Sequence, residues 1–326
     1  MSIAAKTNPA CAAPGSNKYA NLKSDKYLGK VGVLATVEDK KIFTEGPAAD
    51  REGRLFFTNV PMGKILKWDP KTKQLSVFRE NSHQTNGLYF DPEGRLLCCE
   101  GGAGRVTRTD MKSAKVEVLA DKDDGKPFAK PNDVCADDKG RVYFTARSAV
   151  KDIEGETPKG VYRIDPNGAV TALLQPPKVH MPNGIITSPD NNTLYLIEAH
   201  PDADQHRDIR AYDLKSDGSL VNERVLINFY PGRSGDGMCI DAAGNLYVAA
   251  GLHKTRGTSE TLDTRPGIHV VSPQGRLIAY RETPEDTITN CTFGGADLRT
   301  LYVTCGSKLL SIRTDIPGKA SYRPHA

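Results

Sequence analysis

Short apolar runs separated by turn residues recur along the chain from Gly32 to Ile312, and no apolar stretch shows a helical period over three turns. The clearest runs are Leu55-Phe56-Phe57, Leu96-Leu97-Cys98, Val142-Tyr143-Phe144, Leu194-Tyr195-Leu196, Leu246-Tyr247-Val248 and Leu301-Tyr302-Val303. A polar residue precedes each run at a nearly constant offset. Glu45, Asn86, Asn132 and Asp236 lie ten residues before the first residue of their runs, and Asn183 and Asn290 lie eleven before. A turn such as Asp91-Pro92-Glu93-Gly94 stands in between, so each unit reads as a β-hairpin with a carboxylate or amide at its entrance.

Two further apolar runs follow each hairpin, as in Ile65–Trp68 and Leu75–Phe78. The repeat is thus four strands long, and such a period indicates a propeller or solenoid. The sixth repeat has only three runs, while residues 32–37 form a strand with no hairpin partner. Supplying that strand to the last repeat closes the ring and leaves no open edge. The expected fold is all-β: a six-bladed β-propeller of four antiparallel strands per blade, closed by the N-terminal strand. Residues 1–30 are expected to form an arm, poorly ordered or wrapped on the surface, and residues 31–326 a single propeller domain.

The topology puts the six polar residues on one face and brings the loop after each second strand to that same face. Three of these loops are long, 146–159, 199–208 and 251–266, and are expected to rim the mouth of the central funnel.

Composition narrows the functional classes. Charged residues make up 26% of the 326 residues and hydrophobic ones 38%, as in globular proteins. The net charge of +4 and pI of 8.5 come without a cluster of Lys and Arg among aromatics, so no nucleic-acid partner is expected. No run reaches the roughly 18 apolar residues of a membrane span. The N-terminus has no charged segment followed by an apolar one, which points to a cytoplasmic protein, or to a periplasmic or secreted one if a signal peptide was removed. A monomer or weak homo-oligomer is expected. Six of the seven cysteines fall inside apparent strands and read as small buried hydrophobes, and their spacing fits no zinc motif.

Glu45, Asn86, Asn132, Asn183, Asp236 and Asn290 offer only hard oxygen donors. Turn chemistry explains any one Asn-Gly or Asp-Gly pair. It does not explain six in phase, nor two carboxylates at buried strand entries, because a buried charge needs a partner. The set suits one divalent cation. Ca2+ is the first expectation, with Mg2+, Mn2+, Zn2+ and Fe2+ as other candidates.

Phe43-Thr44-Glu45-Gly46-Pro47, Pro131-Asn132-Asp133, Pro182-Asn183-Gly184, Asp236-Gly237-Met238-Cys239-Ile240-Asp241 and Thr289-Asn290-Cys291-Thr292-Phe293-Gly294-Gly295 resemble, in order, motifs of the SMP-30/gluconolactonase/luciferin-regenerating-enzyme-like family. The resemblance implies a six-bladed propeller that hydrolyses sugar lactones, such as gluconolactone or a related aldonolactone, with one divalent metal. It implies Glu45, Asn183 and Asp236 as metal ligands, with Asp236 also the general base. It makes Asn132 a fourth ligand or a substrate contact, and puts Lys130 where the family often has a substrate-binding Arg. Asn86, Arg147, Glu100, Glu198 and His200 are further expected substrate contacts at the mouth. The chain departs from bacterial gluconolactonases after Tyr143-Phe144-Thr145, where Ala146-Arg147-Ser148-Ala149 replaces an Asp-Pro-Pro-Tyr-Gly-like loop. A phosphotriesterase or other ester hydrolase on the same metal site and a non-catalytic binding propeller are the alternative readings.

Overall fold

The computed structural model describes residues 18–148 and 152–322. Residues 1–17 of the expected arm, with Cys11, and residues 149–151 of the first rim loop lie outside them. Twenty-four strands form six four-stranded antiparallel sheets, with no α-helix among the described residues.

Blade one comprises β2 (Thr44–Ala49), β3 (Leu55–Asn59), β4 (Lys64–Asp69) and β5 (Gln74–Arg79). Blade two follows with β6 (Thr85–Phe90), β7 (Leu96–Glu100), β8 (Arg105–Thr109) and β9 (Val116–Ala120). Blade three is β10 (Pro131–Ala136), β11 (Val142–Ala146), β12 (Gly160–Ile164) and β13 (Val170–Leu174). Blade four is β14 (Pro182–Thr187), β15 (Thr193–Glu198), β16 (Asp208–Leu214) and β17 (Leu220–Asn228). Blade five is β18 (Gly235–Ile240), β19 (Leu246–Ala250), β20 (Gly267–Val271) and β21 (Leu277–Glu282). Blade six joins β22 (Ile288–Gly294), β23 (Thr300–Cys305) and β24 (Lys308–Thr314) to β1 (Leu28–Thr36).

The closing strand is therefore the one expected, but it starts at Leu28 rather than Gly32 and pairs from Leu28↔Thr314 to Thr36↔Lys308. It is an outer strand with one face toward solvent, and only Leu28 along it is fully buried. Its polar first half therefore carries no apolar alternation to mark it. Upstream, the chain lies against blade five: the Tyr19 hydroxyl meets His269 Nε2 at 3.0 Å, and the Ser24 hydroxyl accepts from the Tyr280 amide at 3.0 Å.

Burial follows strand order within the blade. The first and second strands of blades one, three and five are buried along their full length, whereas the fourth strands β5, β9 and β17 are largely exposed. That gradient explains why the second-strand runs are the strongest pattern in the sequence. Hairpin turns between first and second strands repeat one clasp. Asp50, Asp91 and Asp137 each accept the backbone N–H and the guanidinium of the Arg four residues on, as in Arg54 Nε to Asp50 Oδ2 at 2.6 Å. Asp241 does the same with Asn245.

Two features of this frame position the site. Each first strand carries a register irregularity beside its polar residue, as at Glu45/Ala48, Thr85/Leu88, Pro131/Val134 and Gly235/Met238. Such bulges re-aim a side chain out of the regular alternation, here toward the propeller axis. The pairs Pro131↔Ala146, Pro182↔Glu198 and Gly235↔Ala250 then set the start of each long loop beside Asn132, Asn183 and Asp236.

Candidate active site

Glu45, Asn132, Asn183, Asp236 and Asn290 are all buried at the inner ends of their strands. The approach of neighbouring blades there is close enough to require glycine after the polar position. A Cβ on Gly237 would lie 2.0 Å from Asn290 Cγ, and one on Gly46, whose φ is +48°, would lie 2.3 Å from the Asn86 carbonyl. Second-strand threonines fix the backbone: Thr58 Oγ1 donates to the Asn86 carbonyl at 3.0 Å and Thr145 Oγ1 to the Asn183 carbonyl at 2.8 Å.

The side chains form two linked groups. In the first, Asn132 Nδ2 donates to Asn183 Oδ1 at 2.6 Å, Asn183 Nδ2 donates to Asp236 Oδ1 at 2.6 Å, and Arg233 Nη2 donates to Asp236 Oδ2. The buried Arg233 guanidinium also donates to the carbonyls of Gly251 and Ile288. In the second group, Asn290 Nδ2 reaches Glu45 Oε2 at 3.4 Å and Asp133 Oδ1 at 3.0 Å.

Burial, then repulsion from Asp236 and Asp133, holds the Glu45 carboxyl well above the usual carboxylate range. Asp133 is pushed up to about 7 by burial and then by Asp236, against the pull of the Arg147 charge and the Asn290 amide. Three carboxyl groups thus share a buried site with one directly paired guanidinium among the described residues. Among the described residues, no three His, Cys, Asp or Glu side chains are grouped to hold a metal on their own, so amide oxygens would have to share the coordination.

Asp133 and Arg233 escape the sequence reading. Asp133 had a signal: the residue after the polar position is Gly46, Gly87, Gly184 and Gly237 in four blades, but Asp133 in blade three and Cys291 in blade six. Arg233 precedes its strand and carries no pattern.

Beside the carboxylates opens a cavity of about 400 Å³ whose lining includes Asn86, Lys130, Asn132, Arg147, Ser148 and Met181. Four of the expected contacts are therefore gathered at one opening. Glu100 and His200 are not. Glu100 is buried between blades one and two, where Arg79, Arg105 and Thr107 take its carboxylate at 3.1, 2.7 and 2.9 Å. Standing at the end of a second strand does not decide which side of the blade a side chain faces. His200 is buried in the 199–208 loop, its Nδ1 accepting from the Asp202 amide at 3.2 Å, and burial keeps its imidazole below the ordinary value. Glu198 likewise turns away from the mouth to accept from the amides of His180 and Met181.

A six-bladed propeller with buried carboxylate and amide oxygens around one end of its axis, next to an open polar cavity, is a class of protein built to bind a small molecule at the funnel mouth. The chain belongs to the SMP-30/Gluconolactonase/LRE-like family, whose model matches residues 43–307. It is 25% identical over 299 residues to the gluconolactonase of Zymomonas mobilis, covering 83% of this chain and 78% of that one. It is 28% identical over 283 residues to regucalcin of Xenopus laevis, covering 85% and 87%. Among solved structures, a gluconolactonase from Xanthomonas campestris superposes with a TM-score of 0.72 at 26% identity, covering 88% of this chain and 90% of that one.

Proposed function

We propose that this protein is a divalent-metal-dependent lactonase that opens the ring of a small lactone with water. The observation that carries the reading is the charge at the axis. Glu45, Asp133 and Asp236 are buried together, and among the described residues Arg233 is the one cation hydrogen-bonded to any of them. As carboxylates they leave two negative charges over, the amount a divalent cation neutralises. Every candidate ligand is a hard oxygen, and Asn86 Oδ1 is buried with no hydrogen-bond partner among the described residues. The residues therefore fit such an ion, with Glu45, Asn183 and Asp236 as its holders and Asn132 as a fourth donor or a substrate contact. The kinship with gluconolactonases supports lactone hydrolysis as the reaction.

A divalent cation bound there would supply Lewis-acid polarisation of the ester carbonyl and acidify water. Asp236 takes the proton of the attacking water at a carboxylate oxygen, while Arg233 fixes the carboxylate's orientation. The water oxygen bonds to the carbonyl carbon, the ring C–O bond breaks, and the proton passes to the leaving oxygen, giving the open hydroxy acid. Asn86, from the cavity wall, orients the ring hydroxyls.

The test is acid release from a panel of lactones by the purified protein, with and without EDTA. EDTA-sensitive opening of at least one lactone, restored by Ca2+ or another divalent ion, is the expected result. EDTA-insensitive activity, or hydrolysis of phosphotriesters and of no lactone, would overturn the reading.

A further inference from the structure

Several charged side chains packed between and behind the blades meet an opposite charge. Glu100 is held by two arginines, Arg210 by Asp208, Arg233 by Asp236 and Arg141 by Asp137. At the cavity mouth the pattern breaks. Lys130 and Arg147 both line the opening, and no Asp or Glu is among the residues that line it. Neither side chain makes a hydrogen bond or ion pair among the described residues. They are also neighbours: the Arg147 amide donates to the Lys130 carbonyl at 3.3 Å where β10 and β11 meet, so both side chains spring from one point of the rim. Lys130 sits there with φ of +30°, a conformation that non-glycine residues adopt rarely. The charge of Arg147 reaches Asp133, but no hydrogen bond joins the two among the described residues, and both carboxylate oxygens of Asp133 face the Asn290 amide at the axis.

Two adjacent cations facing a cavity, with no carboxylate bonded directly to either among the described residues, make a receptor for an anionic oxyacid group. The guanidinium supplies paired donors in a plane and the ammonium a point charge. We propose that the substrate is an anionic lactone, carrying a carboxylate or phosphate group away from the ring ester, and that Lys130 and Arg147 grip that group while the axial residues act on the ring. This rests on the lactonase reading and adds the substrate's charge to it. It also accounts for the rim: Ala146-Arg147 puts a cation where the Asp-Pro-Pro-Tyr-Gly-like loop of bacterial gluconolactonases begins with an acid.

The experiment compares kcat/KM for gluconolactone, which is neutral, with glucarolactone and phosphogluconolactone, which carry the two candidate groups. The wild type should favour one of the anionic lactones by at least roughly 10-fold, and which one identifies the group. Arg147→Met and Lys130→Met should each lower the anionic-to-neutral ratio by roughly 10–100-fold, mainly through KM, the usual range for losing a charge-assisted hydrogen bond. Arg147→Lys should recover part of the ratio. Calorimetry with the open-chain acids separates the two levels of argument. If no lactone is opened but phosphogluconate or glucarate binds more tightly than gluconate and loses that advantage in Arg147→Met, the anion site stands and the lactonase reading falls. If gluconolactone is opened as well as the anionic lactones, and Arg147→Met lowers all of them alike, Arg147 serves only to offset Asp133 and the proposal is overturned.

Discussion

Asp133 of blade three and Asn290 of blade six, opposite one another in the ring, meet across the propeller axis, with Asn290 Nδ2 donating to both carboxylate oxygens at 3.0 and 3.2 Å. The same amide reaches Glu45, so one side chain ties together three blades. Asn290→Leu keeps the volume and removes both donors. Two buried carboxylates then lose a partner, at a cost of about 1–3 kcal/mol. A thermal melt of the variant in EDTA should show the loss as a fall of several degrees in Tm. An unchanged Tm would mean that the axis is not the strut described here.

Metal removal should act on stability as well as on activity. An ion that binds only the folded state at 100-fold its Kd adds about 2.7 kcal/mol. Calcium at millimolar concentration should therefore raise Tm over the EDTA-treated protein. Melts in a series of divalent chlorides check this, and a Tm indifferent to all of them would count against an axial ion.

Glu45 and Asp236 are both carboxylates at the axis, but the proposed mechanism gives them different work. Asp236→Asn keeps size and one oxygen donor while removing the base, so kcat at saturating metal should fall by roughly 10²-fold or more. Glu45→Gln should instead weaken metal affinity and recover much of its activity in excess ion. Titrating activity against metal for both variants separates the roles. Full rescue of Asp236→Asn would make it a ligand only.

Glu198 links pH to stability. Burial is the largest influence on its carboxyl, which sits at about 7 against an ordinary 4.5, despite hydrogen bonds from Met181 and His180 and the charge of Arg210. The folded protein holds this proton more tightly than the unfolded chain. Stability therefore falls as pH rises from about 4.5 to about 7, and stays reduced above that. The ionised form carries a penalty of roughly 3 kcal/mol. Glu198→Gln should raise Tm by several degrees at pH 8 and by much less at pH 5, as scanning calorimetry at the two pH values would reveal. A variant less stable at pH 8 would show that the charge of Glu198, not its proton, suits the site.

Repetition made the fold legible. A single Asn-Gly says little, but the offset from Glu45 to Leu55 recurs to within one residue in every blade because every blade must deliver one side chain to the axis. The closing strand was legible by subtraction, from a sixth repeat with three runs, while its true start at Leu28 was hidden by solvent exposure. Departures from the repeat were harder to read. Asp133 replaces a glycine and crosses the channel, and Arg233 enters from a loop that obeys no period. Glu100 was misplaced for a related reason: strand position fixes depth along the axis, but packing against blade one decided which way its carboxylate turned.

The seam between β1 and β24 also governs how the molecule can be made on the ribosome. Leu28 must find Thr314, and nearly all of the propeller is synthesised between them. Blades one to five can assemble from neighbouring sequence as they emerge, because each is continuous in the chain. Blade six cannot, and until β24 has been made β1 stays an unpaired strand with Leu28 uncovered. The nascent chain therefore carries β1 as an open edge from the time that strand emerges until β24 follows it. A chaperone that shields residues 28–36 during translation would act on the one segment that has to wait.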